Sequence, residues 1–452
     1  MSSPVASAPK RSGGEWLDSW DPENAETWDS RLAWKTLWIT TFNLTLAFVT
    51  WFLVSALAPQ LNYIGFDLSK GQLYWLVAMP GLAGGLLRIV WMFLPPILGT
   101  RKLVWMSTAL LLIPLIGWGM VVNNPSTSYT VLLMLAFMAG VGGGVFSGFM
   151  PSTSYFFPKS KQGTALGLQA GIGNFGVSLV QFVSPWVVGI GLFGTSLGLF
   201  GQSQEFVNPD KGIQAQVWYN HAGWFWVPWV IIGVILAFTL LKSVPVQARG
   251  VKEQLDIFSN KHTWLMTWLY ILTFGTFSGL AAQFGLLMKN LYSTPFGADG
   301  VNPLAYAFLG ALVGSAARIL AGPVADKFGG AKVTLVAVLG IGFSALYTSF
   351  TLTPTNVDEF PTFLWGMLAI FFFTGVGNAS TFKQMPMIFE RRQAGGVIGW
   401  TAAIAAFGPF VFGVMFATGN AQILYWLGFV SCMIGAVITW YYYARPGAEK
   451  PS

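Results

Sequence analysis

Apolar residues along this chain gather in long unbroken runs rather than in the alternating or heptad patterns of a soluble fold. Twelve runs have the roughly 20 residues a helix needs to cross a bilayer. They fall near 36–58, 72–95, 103–122, 130–157, 163–190, 224–242, 264–288, 304–324, 332–352, 362–389, 395–418 and 421–443. The longest polar interruption on the side of the termini, about 243–262, follows the sixth run. The pattern predicts an all-α membrane protein with twelve transmembrane helices in two six-helix halves. Its expected divisions are an N-terminal segment (1–34), a first half (35–242), a linker (243–262), a second half (263–443) and a tail (444–452).

An even number of spans puts both termini on one side, and the basic residues say which. Segments on the terminal side hold Lys10, Arg11, Arg31, Lys35, Arg101, Lys102, Lys159, Lys161, Lys242, Arg249, Lys252, Lys261, Lys327, Lys332, Arg391, Arg392, Arg445 and Lys450. The opposite loops are expected to hold only Lys70, Lys211 and Lys289. Such an excess marks the cytoplasmic side, so the chain is expected to cross the inner membrane with both termini in the cytoplasm. Glu15, Asp18, Asp21, Glu23, Glu26 and Asp29 in the N-terminal segment rule out a signal peptide there.

The halves repeat one another. Arg88 is followed by Gly99 and Lys102, and Arg318 by Gly329 and Lys332, each at +11 and +14. An offset of 232 aligns Gly163, Gly167 and Gly176 with Gly395, Gly399 and Gly408. Two alignments at nearly one offset point to duplication.

Composition narrows the function. Only 9% of the 452 residues are charged and 54% are hydrophobic, against roughly 25% charged in soluble domains. The net charge of +7 is scattered over short loops, so no nucleic-acid partner is expected. A single cysteine, Cys432, allows no intrachain disulfide and no cysteine metal site, and His221 and His262 stand alone. With no nucleophile, base and metal constellation, the chain is expected to be no enzyme and to need no cofactor. The lipid bilayer is its expected surrounding, and a monomer its expected state.

Three basic residues remain, and they fall inside spans: Arg88, Arg318 and Lys383. A charge at mid-bilayer costs about 2.5–3.5 kcal/mol and so marks function. All 17 acidic residues lie outside the spans or at their edges, so no embedded carboxylate neutralises them. Embedded cations without an embedded acid imply an anion that comes and goes. Gly81, Gly84 and Gly85 before Arg88, and Gly310 and Gly314 before Arg318, permit close helix approach and leave space for a small ligand only. A guanidinium offers paired donors to a planar oxyanion, which admits nitrate, nitrite, formate, bicarbonate or a small carboxylate.

The loop Gly322-Pro-Val-Ala-Asp326-Lys-Phe-Gly329-Gly resembles the loop signature of the major facilitator superfamily. Gly142-Gly-Gly-Val-Phe146-Ser-Gly-Phe-Met-Pro, Ala165-Leu-Gly-Leu-Gln-Ala-Gly171-Ile-Gly173-Asn174-Phe-Gly176-Val-Ser178 and Gly377-Asn-Ala-Ser-Thr-Phe382 resemble the nitrate/nitrite porter (NarK-type) family within it. The resemblance implies nitrate and nitrite as substrates, carried by alternating access. It implies that Arg88 and Arg318 clamp the anion from opposite halves, with Phe146, Asn174 and Tyr270 completing the pocket. Gly171, Gly173 and Gly176 would let the fifth helix bend or slide, and the corresponding signature in the eleventh helix is weak. A small-carboxylate antiporter of the oxalate/formate type is the rival reading.

Two coupling modes fit. Two guanidinium charges about 7 Å apart repel by about 2 kcal/mol at an effective dielectric of about 20, so closure that needs an anion would give nitrate/nitrite exchange. Lys383, desolvated beside two cations, would lose its proton more readily, which would give proton symport.

Overall fold

A computed structural model describes residues 14–452 except 18, 25, 27, 190–201, 246–254 and 420, and without the side chains of 391 and 392. Among the described residues, twelve helical stretches are long and apolar enough to cross a membrane. Spans 1 to 6 are Ser30–Ile64, Lys70–Trp91, Pro95–Val121, Tyr129–Ser154, Lys159–Gly189 and His221–Leu240. Spans 7 to 12 are Lys261–Asp299, Pro303–Phe328, Gly330–Ser349, Val357–Ile388, Gln393–Ala417 and Ala421–Ala444. The end of the run expected at 163–190 lies outside the described residues.

The repeat seen in sequence recurs as geometry. Gly99 and Gly329 both take positive φ, +71° and +91°, a conformation that costs a side-chain-bearing residue dearly. Gly329 reverses the chain between spans 8 and 9, and Gly99 breaks the helical path near the start of span 3. Span 1 packs along span 5, and span 7 against span 11. A Cβ added at Gly176 would stand 2.3 Å from the Thr45 carbonyl oxygen, and one at Gly408 would stand 2.1 Å from that of Gly275. Thr45 and Gly275 are themselves 230 apart, so both halves use one close-packed glycine in the same place. The halves meet where span 5 packs on span 8 and span 2 on span 11.

Several polar side chains in the buried interior bond to backbone or to one another, as hydrocarbon favours. Thr40 donates to the Thr36 carbonyl at 2.8 Å, Asn43 Nδ2 to that of Ile39 at 2.8 Å, and Thr108 Oγ1 to Asn43 Oδ1 at 2.8 Å.

Span 7 departs from the expected 264–288. It contains two π-helical turns, Ile271–Gly275 and Lys289–Ser293, and the second carries the helix past the expected end. Lys289, expected in a loop, is therefore helical and buried, and its Nζ donates to the Pro59 carbonyl at 2.6 Å. A second unexpected element is a hairpin between spans 5 and 6: β1 (Gln204–Asn208) pairs antiparallel with β2 (Ile213–Val217), Phe206 opposite Ala215.

Both tails dock on the same face, called here the terminal face. The N-terminal segment ties the ends of spans 3, 4 and 6: Glu15 pairs with Arg101 at 3.1 Å, Trp20 and Trp28 donate to the carbonyls of Tyr155 and Phe156, and Leu17 N donates to the Ser243 carbonyl. The C-terminal residues do the same for the other half. Glu449 pairs with Lys261 at 2.7 Å, and Ser452 accepts from Ala331 N and donates to Gln384 Oε1.

Candidate functional site

Arg88 is fully buried, and its guanidinium is held along one edge. Nε donates to the Gly143 carbonyl on span 4 at 2.9 Å, and Nη1 donates across the interface to the Ala402 carbonyl on span 11 at 2.7 Å. Nη2 has no partner. The rings of Phe146, Phe274 and Trp51 flank the cation, with centroids 4.6, 5.1 and 5.3 Å from Cζ. Carbonyls and ring faces stabilise a cation without cancelling its charge, so Arg88 keeps a positive, unpartnered edge in the buried core.

Arg318, on span 8 of the other half, is 4% exposed, and its Nη1 also lacks a partner. Its Cζ lies 5.1 Å from the Phe382 ring centroid. The aromatic residues join the two arginines into one site. Tyr270 and Phe274 stack with planes 4° apart and centroids 5.4 Å apart. Phe274 and Phe146 lie 6.5 Å apart, Tyr270 and Phe382 5.0 Å, Phe146 and Phe382 6.4 Å. The π turn at Ile271–Gly275 lies between Tyr270 and Thr276. Such an irregular turn is frequent at functional sites, and here it accompanies the stacked pair.

Orphaned polar atoms collect on the elements around this box. Both amide atoms of Asn174 and both of Asn378 are buried and unpartnered, and the buried Tyr270 hydroxyl lies within reach of Arg318. A buried polar group without a partner costs about 1–3 kcal/mol, so the two amides are unsatisfied in a way that Thr40 and Asn43 are not.

Span 5 is one unbroken helix over Lys159–Gly189, so its glycines serve approach rather than a bend in this conformation. A Cβ at Gly171 would lie 2.5 Å from Cγ1 of Ile319, beside Arg318; one at Gly173 would meet Leu44, and Gly176 faces Thr45. Gly171 therefore lies at the contact between halves.

Lys383 is a correction. It is not a third unpaired cation of the core: its side chain is 43% exposed, and its Nζ pairs with Asp326 of span 8, itself 61% exposed, at 2.5 Å. Its place in an apolar run hid a carboxylate 57 residues away that folding brings to it. Phe274, Phe382 and Trp51 were not singled out in sequence. Phe274 follows Tyr270 at i+4, a spacing that could have pointed to it. The carbonyls of Gly143 and Ala402 carry no sequence signal, because every residue has one.

Two buried arginines at equivalent places in the two halves, each with an unpartnered nitrogen, lie against one aromatic cluster in a twelve-span bundle, and comparison with known proteins gives the class. The major facilitator superfamily model matches residues 40–406, and the chain belongs to that superfamily. The fold is close to that of the D-xylose–proton symporter (TM-score 0.67, 14% identity, covering 90% of this chain and 97% of that one). Among curated proteins it is 59% identical to the Thermus thermophilus protein named "Probable nitrate/nitrite antiporter NarK2", over 98% of this chain and 99% of the relative. It is 33% identical to the nitrate/nitrite transporter NarU of Escherichia coli K12, over 95% and 96% respectively. Within the superfamily, the chain is a member of the NarK-type nitrate/nitrite porters.

Proposed function

We propose that this protein carries nitrate and nitrite across the cytoplasmic membrane by alternating access, with the anion held between Arg88 and Arg318. The observation that carries this reading is the pair of unpartnered guanidinium nitrogens, Arg88 Nη2 and Arg318 Nη1, in one aromatic box. A planar oxyanion supplies acceptors to both and removes their mutual repulsion. Asn174 and Tyr270 supply further donors, and the ring of Phe146 forms a wall that excludes water.

The excess of basic residues on the terminal face supports its facing the cytoplasm. Hydrogen bonds between the halves gather toward the opposite face. Ser178 donates to the Phe308 carbonyl, Gln181 to that of Ala281, Gln283 to that of Tyr74, and Lys289 to that of Pro59. This arrangement is the state closed to the outside.

The coupling reading follows from Lys383. Half-exposed and paired with Asp326, it is not the desolvated cation that proton symport would need, which favours nitrate/nitrite exchange. Efflux of labelled nitrite from proteoliposomes should require nitrate, nitrite or a competing anion outside, and a pH gradient should not replace it. Robust net nitrate uptake driven by a pH gradient alone would overturn exchange, and faster counterflow with formate or oxalate than with nitrite would overturn the substrate assignment.

A further inference from the structure

Asn378 on span 10 is fully buried, and neither amide atom has a partner. Its neighbours fix where it stands. Phe371, Asn378 and Phe382 fall at i, i+7 and i+11, one stripe of a helix. Phe371 meets Phe277 of span 7 at 6.1 Å, and Phe382 meets Tyr270 of span 7 at 5.0 Å. Asn378 therefore faces the turn of span 7 between those two contacts, which carries Phe274, the ring over Arg88. On the other flank, a Cβ at Gly375 would lie 2.9 Å from Cβ of Ala317, the residue before Arg318. The amide is thus level with the arginine pair.

The repeat sharpens this. Gly140-Val-Gly-Gly143 and Met150-Pro151 in span 4 align with Gly375-Val-Gly-Asn378 and Met385-Pro386 in span 10, at an offset of 235. Asn378 occupies the place of Gly143. In the first half that position offers only its carbonyl, which Arg88 already takes. In the second half it offers an amide that nothing in the protein uses.

We infer that Asn378 donates through Nδ2 to the third oxygen of nitrate, and so weights the site toward the three-oxygen anion over nitrite. This rests on the carrier reading above. Nitrite has two oxygens, which the two guanidinium edges occupy with Asn174 and Tyr270 serving from spans 5 and 7; nitrate presents a third acceptor, and Asn378 is the unpartnered donor on span 10. A hydrogen bond to a charged partner then separates the two anions by about tenfold in affinity.

The experiment titrates nitrate and nitrite separately against the thermal stability of the purified full-length protein. It compares wild type, Asn378→Leu, Asn378→Ser and Arg88→Lys, and measures counterflow for each. Without anion, Asn378→Leu should melt no lower than wild type, because it removes an unsatisfied buried amide rather than a structural bond. Its half-saturating nitrate should rise about tenfold while that for nitrite moves less than about threefold. Asn378→Ser, which keeps a donor, should lie between Leu and wild type. Equal weakening of both anions, no weakening of either, or a large fall in melting temperature in both variants would overturn the inference. A wild type that nitrate fails to stabilise, or an Arg88→Lys protein that nitrate stabilises normally, would overturn the carrier reading itself, which is a separate result.

Discussion

The two ends of the seam between the six-helix halves are built differently. Toward the face opposite the tails, helices touch backbone to side chain: a Cβ at Gly81 would lie 2.7 Å from Phe410 N, one at Gly85 2.5 Å from the Phe407 ring and one at Gly413 2.6 Å from Ala78. Polar bonds cross the seam there as well, and Asn290 adds one to Tyr74 Oη at 3.1 Å. Toward the terminal face, Cβ atoms at Gly163, Gly167, Gly322 and Gly395 would meet nothing within 4 Å. One repeated helix, span 5 or span 11, therefore carries a tight glycine at one level and a free glycine two to four turns away. Glycine is used in two ways here: as a requirement of packing in Gly176 and Gly408, and as open surface in Gly163 and Gly395.

The arginines sit where the two regimes meet, and replacing them should have the largest effect. Arg88→Lys or Arg318→Lys should bring nitrate counterflow to background in a protein that still inserts and folds, because an ammonium cannot reproduce the paired donors of the fork. Near-wild-type counterflow in either variant would mean that the anion sits elsewhere. Next in size, Gly176→Ala and Gly408→Ala should each destabilise the purified protein by about 3 kcal/mol, since a methyl group cannot share space with a backbone carbonyl in a packed core. Thermal melting would read this, and an unchanged melting point would show the packing within each half, span 5 on span 1 and span 11 on span 7, to be looser than it looks. Lys289→Met should cost about 2 kcal/mol of closure by removing a charged hydrogen bond and orphaning the Pro59 carbonyl. The effect should appear as faster labelling, from outside, of a cysteine introduced at Gln283. The smallest effect belongs to Gly163→Ala and Gly395→Ala. Each should leave transport intact and shift stability by about 1 kcal/mol or less, in the stabilising direction expected of a helical glycine replaced by alanine.

Much of this was legible in the sequence because lipid imposes simple rules. Run length located the spans, the repeat located Arg88 and Arg318, and the missing carboxylates pointed to a ligand of opposite sign. What stayed hidden depended on partners distant along the chain. Lys383 reads as embedded until Asp326 is folded against it. Lys289-Asn290 reads as a loop because two polar residues end an apolar run; the helix continues because the Pro59 carbonyl receives the charge. The hairpin at 204–217 gave no signal against so apolar a background, since its strands are five residues each. The aromatic box required knowing which faces of spans 4, 7 and 10 converge, which no single helix discloses.

The tails have a mechanical consequence. Each staples helix ends of its own half, on the face where the halves must part, and the staples engage different sets of spans. Pulling the halves apart there cannot be relieved by fraying individual helices, so strain is passed to the seam and each six-helix group turns as one stiff lever. The C-terminal staple should also tolerate acid. The hydrogen bond from Lys261 draws the Glu449 carboxyl below its ordinary range; a carboxylate with a lowered folded-state pKa contributes fully above its unfolded value and is lost only as pH falls through the lowered one. Acidification toward pH 6 on the terminal face therefore leaves that lever braced.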